Sequence, residues 1–188
     1  AVTRSSPVQI GALTTWSNAR CGSGHSLAIK TDGTIWSWGH GTYGKQGHED
    51  TTTRSSPVQI GALTTWASIS TWSDSSGATK TDGTLWVWGF NSAQGNLGLG
   101  NTTTYSSPVQ VGSLTDWASF SVGYHGQGHS SAIKTDGTAW VWGSGSNGKL
   151  GLGNTSNYSS PVQLGHHTDW LSLVRGNGHM VGIRKAYE

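Results

Sequence analysis

A block of about fifty residues occurs three times in this chain and begins a fourth time, and no other feature limits the possible folds as much. The segment S-S-P-V-Q recurs with its proline at Pro7, Pro57, Pro108 and Pro161. A T-[TD]-W pattern follows, closing at Trp16, Trp66, Trp117 and Trp170. Then K-T-D-G-T recurs with its aspartate at Asp32, Asp82 and Asp136, followed by W-x-W-G at Trp36/Trp38, Trp86/Trp88 and Trp140/Trp142. The run T-R-S-S-P-V-Q-I-G-A-L-T-T-W is present twice, letter for letter. Self-similarity at this period means one supersecondary unit per repeat, each burying its apolar face only against its neighbours.

Each unit reads as four short strands. The first follows the T-W pair (66–70), and the second is the stretch before T-D-G (26–30, 131–134). The third is T-[ILA]-W-[SV]-W-G, and the fourth is S-P-V-Q-[IVL]. Asp-Gly between apolar runs at Asp32-Gly33, Asp82-Gly83 and Asp136-Gly137 predicts two-residue type I′ hairpins, with both turn residues at positive φ. The two indoles of W-x-W lie two residues apart and so share one face of the sheet. Burial of about 200 Å² each would contribute roughly 5 kcal/mol gross, which marks all six as structural. No window holds a helical period, and glycine interrupts nearly all of them. The expectation is an all-β propeller of four-stranded blades. A leading strand at 5–10 precedes units at about 16–61, 66–112 and 117–165, with a partial unit at 170–188. The whole of 1–188 is one propeller segment.

Composition narrows the function. Charged residues are 11% of the 188, and the formal net charge is +2. That is too weak a field for nucleic-acid binding, which rests on phosphate neutralisation. The single cysteine, Cys21, excludes an internal disulfide and reads as a small blade residue. No apolar run is long enough to span a bilayer, and no secretory leader opens the chain, so any export signal lies outside it. Catalytic signatures are absent: there is no G-x-S-x-G, P-loop or H-E-x-x-H, and three of the nine acidic residues are the hairpin aspartates. No enzyme activity, cofactor or metal is expected.

The run G-x-G-H-S-L-A-I-K-T-D-G-T-I-W-S-W-G (22–39), the G-x-L-G-L-G-N-T loops (95–102, 148–155) and S-S-P-V-Q-[IVL]-G resemble the repeats of the regulator of chromosome condensation family. The resemblance covers essentially the whole chain. It implies that these blades, just under four, belong to a seven-bladed ring. Either the chain is a fragment, or copies or other chains associate to complete the ring, or four blades close a small one. The wording of the repeats is similar to bacterial and phage proteins. It implies a virion or extracellular setting over a cytoplasmic one, with a role such as tail or capsid decoration. Exchange factors of the family use an inserted wedge and a basic tail, and neither pattern is found here. Ultraviolet receptors of the family use a G-W-R-H-T motif, where this chain reads G-S-G-H-S (22–26), G-Q-G-H-S (126–130) and G-N-G-H-M (176–180). Other members inhibit an enzyme by pure protein recognition.

With the strands of a unit named a to d, loops b–c and d–a emerge on one face and are almost invariant between units. Loops a–b and c–d emerge on the other and vary. Unit two carries Trp72, Ser73 and Asp74 in loop a–b, and unit three has three extra residues there around Tyr124, His125 and Gln127. In loop c–d, unit one has Gln46, His48, Glu49 and Asp50 where the others have Leu, Leu, Gly and Asn. The binding candidates on this variable face are therefore Trp72, Asp74, Tyr124, His125, Gln127, His48, Glu49 and Asp50. Variation confined to one face fits either a recognition surface on a rigid scaffold or neutral drift in exposed loops. Protein partners are expected, and a glycan stacked on Trp72 or Tyr124 is the alternative. His25, His129 and His179 hold one equivalent position and read as hydrogen-bonding blade residues. His166 and His167 read as surface residues. Unit two loses the Leu and Ile of its second strand to Gly77 and Thr79, which weakens its core with no compensation visible in the sequence.

Overall fold

The computed structural model describes residues 6, 8–10, 14–123, 128–176 and 178–186. β1 (Trp16–Cys21), β2 (His25–Lys30), β3 (Ile35–Gly39) and β4 (Arg54–Gln59) pair in that order as the first antiparallel blade. β5 (Trp66–Trp72), β6 (Ser75–Lys80), β7 (Leu85–Gly89) and β8 (Tyr105–Gln110) form the second. β9 (Trp117–Ser121), β10 (His129–Lys134), β11 (Ala139–Gly143) and β12 (Tyr158–Gln163) form the third. β13 (Trp170–Arg175) and β14 (Met180–Arg184) make a two-stranded fourth. The protein is thus an all-β propeller of just under four blades. The a strands β1, β5, β9 and β13 neighbour one another from blade to blade. Of the leading segment, Ser6 and residues 8–10 lie outside any strand.

The core lies between blades. Leu27, Ile29 and Ile35 of the first blade pack with Trp66, Ile69, Ala78 and Trp88 of the second. Leu85 and Val87 of the second pack with Trp117, Val122, Ala132 and Trp142 of the third. The last tryptophan of W-x-W crosses each junction. Trp88 Nε1 donates to the Lys45 carbonyl at 3.0 Å, and Trp142 Nε1 to the Asn96 carbonyl at 3.0 Å. A strand-b serine of the same blade bonds the same oxygen, Ser76 at 2.8 Å and Ser130 at 2.7 Å. Trp88 and Trp142 are accordingly sealed, whereas Trp38 of the first blade is only half-buried.

The opposite face has its own seam, and here the type I′ turn expected at Asp-Gly is corrected. Gly33 alone is left-handed in the first hairpin, at φ 77°, and Asp32 is not. Gly33 N–H bonds the Lys30 carbonyl at 2.9 Å and Lys30 N–H the Thr34 carbonyl at 3.0 Å. This is a three-residue T-D-G loop, a type I turn closed by a glycine bulge. The longer loop frees the Asp32 carboxylate to accept from the Thr34 N–H at 2.9 Å and hydroxyl at 2.6 Å. The Thr34 hydroxyl in turn accepts Trp36 Nε1–H at 2.8 Å. Lys30 Nζ lies 3.5 Å from the Trp36 ring centroid. The same chain of contacts recurs through Asp82–Thr84–Trp86 and Asp136–Thr138–Trp140. Trp66, Trp117 and Trp170 each donate their main-chain N–H to the carbonyl of the hairpin glycine one blade back, all at 3.1 Å. A Cβ on Gly33 would sit 2.0 Å from the Thr64 carbonyl oxygen, so the seam admits no side chain there.

The deviation in unit two also has a physical reason. A Cβ on Gly77 would lie 2.7 Å from the Phe120 ring and 2.8 Å from a Val122 methyl. Side chains of the third blade therefore fill the space that Leu27 fills in the first. Thr79 closes on Ser68 at 2.6 Å. Loss of bulk in one blade is matched by gain in the next. We expect Gly77→Leu alone to destabilise by about 1–3 kcal/mol through overpacking. Combined with Phe120→Ala, it should recover part of that loss in a urea-denaturation double-mutant cycle.

Candidate functional site

Loops a–b and c–d share one face because backbone bonds tie them together: His40 N–H to the Gly24 carbonyl, Phe90 to Asp74 and Ser144 to Gly128. Neighbouring blades join there too, Ser23 N–H bonding the Ser73 carbonyl at 3.1 Å. Tyr124, His125 and Gln127 lie outside the described residues. The other five candidates fall into two groups.

Three of them work as structure. Asp74 sits in the tight turn between β5 and β6 and holds the buried Lys45 ammonium at 2.7 Å, with the Ser23 carbonyl at 2.9 Å as the second acceptor. Asp50 grips Arg54 through both oxygens at 2.9 Å and accepts the Thr52 N–H. This pair replaces the Asn101–Tyr105 and Asn154–Tyr158 side-chain bonds of the other two units. The Arg54 contact holds the Asp50 carboxyl down at about 2. His48 Nε2 lies 2.9 Å from Ser37 Oγ, which spends its own proton on the Gln46 carbonyl. Nε2 must therefore be the donor. Burial, with Arg54 adding to it, lowers the His48 pKa. Gln46 is fully buried, bonding the Gly39 carbonyl, with the Arg54 guanidinium on its oxygen. Unit one has thus exchanged apolar loop packing for a connected polar network. Ser37, which takes part in it where Val87 and Val141 stand in the other units, was not singled out from the sequence. Its departure from the repeat was the available signal.

Two candidates stay outward. Trp72 is 40% exposed and borders a groove of about 410 Å³ with Cys21, Gly22, Ser23 and Ser73. Glu49 is exposed and left-handed at φ 66°, where the other units have Gly100 (75°) and Gly153 (73°). That conformation costs a residue with a Cβ roughly 1–2 kcal/mol. Tyr43, in the same loop, is 40% exposed and also left-handed at φ 61°. Its ring centroid is 4.8 Å from that of Phe90. Sequence reading missed Tyr43 because nothing in the letters marks a tyrosine as left-handed. Among the described residues, no three His, Cys, Asp or Glu side chains converge as a metal site, and no helix is long and apolar enough to cross a membrane. His166 and His167 are exposed, with ring centroids 5.6 Å apart.

His25 is buried at the first junction, Nε2 2.9 Å from Ser76 Oγ. The Ser76 proton is committed to the Lys45 carbonyl, so His25 donates from Nε2 and keeps Nδ1 unprotonated. Burial, with the Lys45 charge adding and Asp74 opposing, lowers its pKa from 6.5 to about 4.

These features define a class: a repeat-built β-propeller whose seams are uniform and whose loop face is individual. The family follows from comparison. The regulator of chromosome condensation (RCC1) repeat model matches residues 82–133 and 136–183, and a related model of the same repeat matches 19–45. The chain belongs to the RCC1 repeat family. It is 33% identical over 144 residues to the E3 ubiquitin-protein ligase HERC2 of Homo sapiens, covering 75% of this chain and 3% of that protein. It is 31% identical over 144 residues to the ultraviolet-B receptor UVR8 of Arabidopsis thaliana, covering 76% of this chain and 32% of the receptor. In structure it is similar to yeast RCC1 (Prp20), solved bound to Kap60, with a TM-score of 0.78 at 21% identity. That match covers 93% of this chain and 44% of the yeast protein. The chain therefore spans less than half of each of these proteins.

The His25 environment gives a pH prediction. Its folded pKa lies below the unfolded value, so the unfolded chain binds the extra proton between about pH 6.5 and 4. The stability that neutral His25 allows should be intact above pH 6.5 and fall by about 3 kcal/mol on acidification to pH 4. Urea denaturation across that range checks it, and a His25→Asn variant should show a shallower fall.

Proposed function

We propose that this chain is a non-enzymatic protein-recognition module that engages its partner through the a–b and c–d loop face. The observation that supports this is the split between faces. On the T-D-G face the Asp, Thr and Trp side chains of each loop are bonded to one another, and Gly33 has no room for a Cβ against the next blade. On the loop face the seam acceptors are backbone carbonyls of Lys45 and Asn96, so the loop side chains are released to vary. Relatives offer precedent: a yeast RCC1 structure was solved with Kap60, and another was described with its binding properties to Gsp1p and histones. The wording of the repeats favours a virion component as the setting, which localisation of the chain within purified particles would test.

A loop-exchange variant tests the reading. Residues 46–50 become L-G-L-G-N, as in unit two, together with Trp72→Ser. A control variant carries Leu114→Asp, an exposed residue of the opposite face. A partner captured by the parent chain should be lost with the loop variant and kept with the control. Equal retention by both would overturn the proposal. A second reading, a glycan stacked on Trp72, draws on the groove beside that indole. A glycan-array signal abolished by Trp72→Ala would favour it instead.

A further inference from the structure

We propose that the cleft between the first and second blades seats a segment of a protein partner in which an apolar side chain lies between an acidic and a basic residue. This rests on the recognition reading above and names the chemistry of the partner.

The cleft encloses about 260 Å³. Ile60 and Trp66 are its buried apolar residues, and the half-exposed Leu63, with Trp86 and Pro108, continues the lining. Glu49 and Lys80 line it as well. The same cleft recurs one junction on, where Val111, Leu114, Trp117, Trp140 and Pro161 surround about 240 Å³. The apolar part is therefore a product of the repeat. The charges are not.

Lys80 is the first difference. Its counterpart Lys134 is paired with Asp116 at 3.3 Å, and Arg184 of the fourth blade with Asp169 at 2.8 Å. The main chain places Thr65 where those aspartates stand. Thr81 N–H bonds the Thr65 carbonyl, as Thr135 bonds Asp116 and Lys185 bonds Asp169. Threonine offers no charge, and among the described residues Lys80 forms no ion pair. Its ammonium lies 3.7 Å from the Trp86 ring centroid and is partly exposed, whereas Lys134 is buried.

Glu49 is the second difference. It stands where the next unit has Gly100, and its N–H bonds the Ser106 carbonyl at 2.8 Å, as the Gly100 N–H bonds that of Ser159. Glycine serves this left-handed backbone at lower cost, so the turn does not call for a carboxylate. The side chain is exposed and, among the described residues, makes no hydrogen bond or ion pair.

The first cleft thus carries an ammonium and a carboxylate, neither with an ion partner among the described residues, beside an apolar floor. The second has its lysine neutralised and no glutamate. A ligand of a single charge would meet attraction and repulsion together. One that brings both charges about an apolar side chain answers each and covers Leu63.

The test uses the whole chain, ¹⁵N-labelled, titrated with the capped peptides Ac-Glu-Leu-Lys-NH2, Ac-Lys-Leu-Glu-NH2 and Ac-Gln-Leu-Gln-NH2. The better of the two charged peptides should bind about fivefold more tightly than the neutral one, the scale of two exposed ion pairs. Its shifts should centre on the indole signals of Trp66 and Trp86 and the amides of Gly47, Glu49 and Gly61. Thr65→Asp gives Lys80 the partner that Lys134 has, and Glu49→Gly gives the loop the residue of the second unit. Each should about halve the preference, and together they should abolish it while sparing the neutral peptide's binding. Both residues already occupy those places elsewhere in the repeat, so the fold should persist. Glu49→Gln, which leaves the backbone demand unchanged, should act as Glu49→Gly does. Equal binding of charged and neutral peptides, an unchanged preference in the double variant, or shifts centred on Trp117 and Trp140 would overturn the proposal. Partner binding that is complete in the double variant but lost in Trp72→Ala would remove the cleft and leave the loop-face reading standing.

Discussion

The indole that crosses from one blade to a backbone carbonyl of the blade before it is the interaction on which this structure depends. A four-stranded sheet of this size has no interior of its own. Its apolar residues become a core only when the next blade covers them, as Leu27 and Ile29 are covered by Trp66 and Trp88. The indole adds direction to that burial. Nε1–H needs an acceptor once buried, and the carbonyl of Lys45 or Asn96 is the one presented. A serine on strand b shares the same oxygen, so packing and polar satisfaction are met at one atom.

Two consequences separate the faces. Where the seam uses a main-chain acceptor, the residue bearing it can change, and it does: Lys45 in one blade, Asn96 in the next. Where the seam uses the T-D-G loop, each side chain has a partner. Asp32 holds Thr34, Thr34 holds Trp36, and Gly33 has no room for a Cβ beside Thr64. A main-chain carbonyl closes the junction on both faces, so invariance on one follows from the bonded Asp, Thr and Trp side chains within the loop and the closed space at Gly33. The first blade uses the freedom of the loop face to replace Leu, Leu, Gly and Asn by Gln46, His48, Glu49 and Asp50. Most of this exchange is satisfied by hydrogen bonds within the blade.

Much of the fold could be read from the letters. Period, strand order and the scaffold role of W-x-W all depend on local pattern, which the repeat displays several times over. The turn type could not, because Asp-Gly suits both a two-residue loop and a three-residue loop with a glycine bulge. Gly77 looked like a weakness since its compensation, Phe120, lies in another blade. The site was legible only as a list of exceptions. Exceptions that bond to the scaffold, such as Asp50 and Asp74, look in sequence like those left to face solvent, such as Glu49 and Trp72. Tyr43 is marked only by its backbone angle.

The crossing indole holds the preceding loop as well as its own blade. Native-state hydrogen exchange of a Trp142→Phe variant tests it directly, since phenylalanine keeps an aromatic ring and removes the Nε1–H. Protection should fall across residues 95–101 of the second blade together with β10 and β11 of the third, while the first blade stays as protected as in the parent chain. Unchanged protection at 95–101, with any loss confined to the third blade, would contradict it.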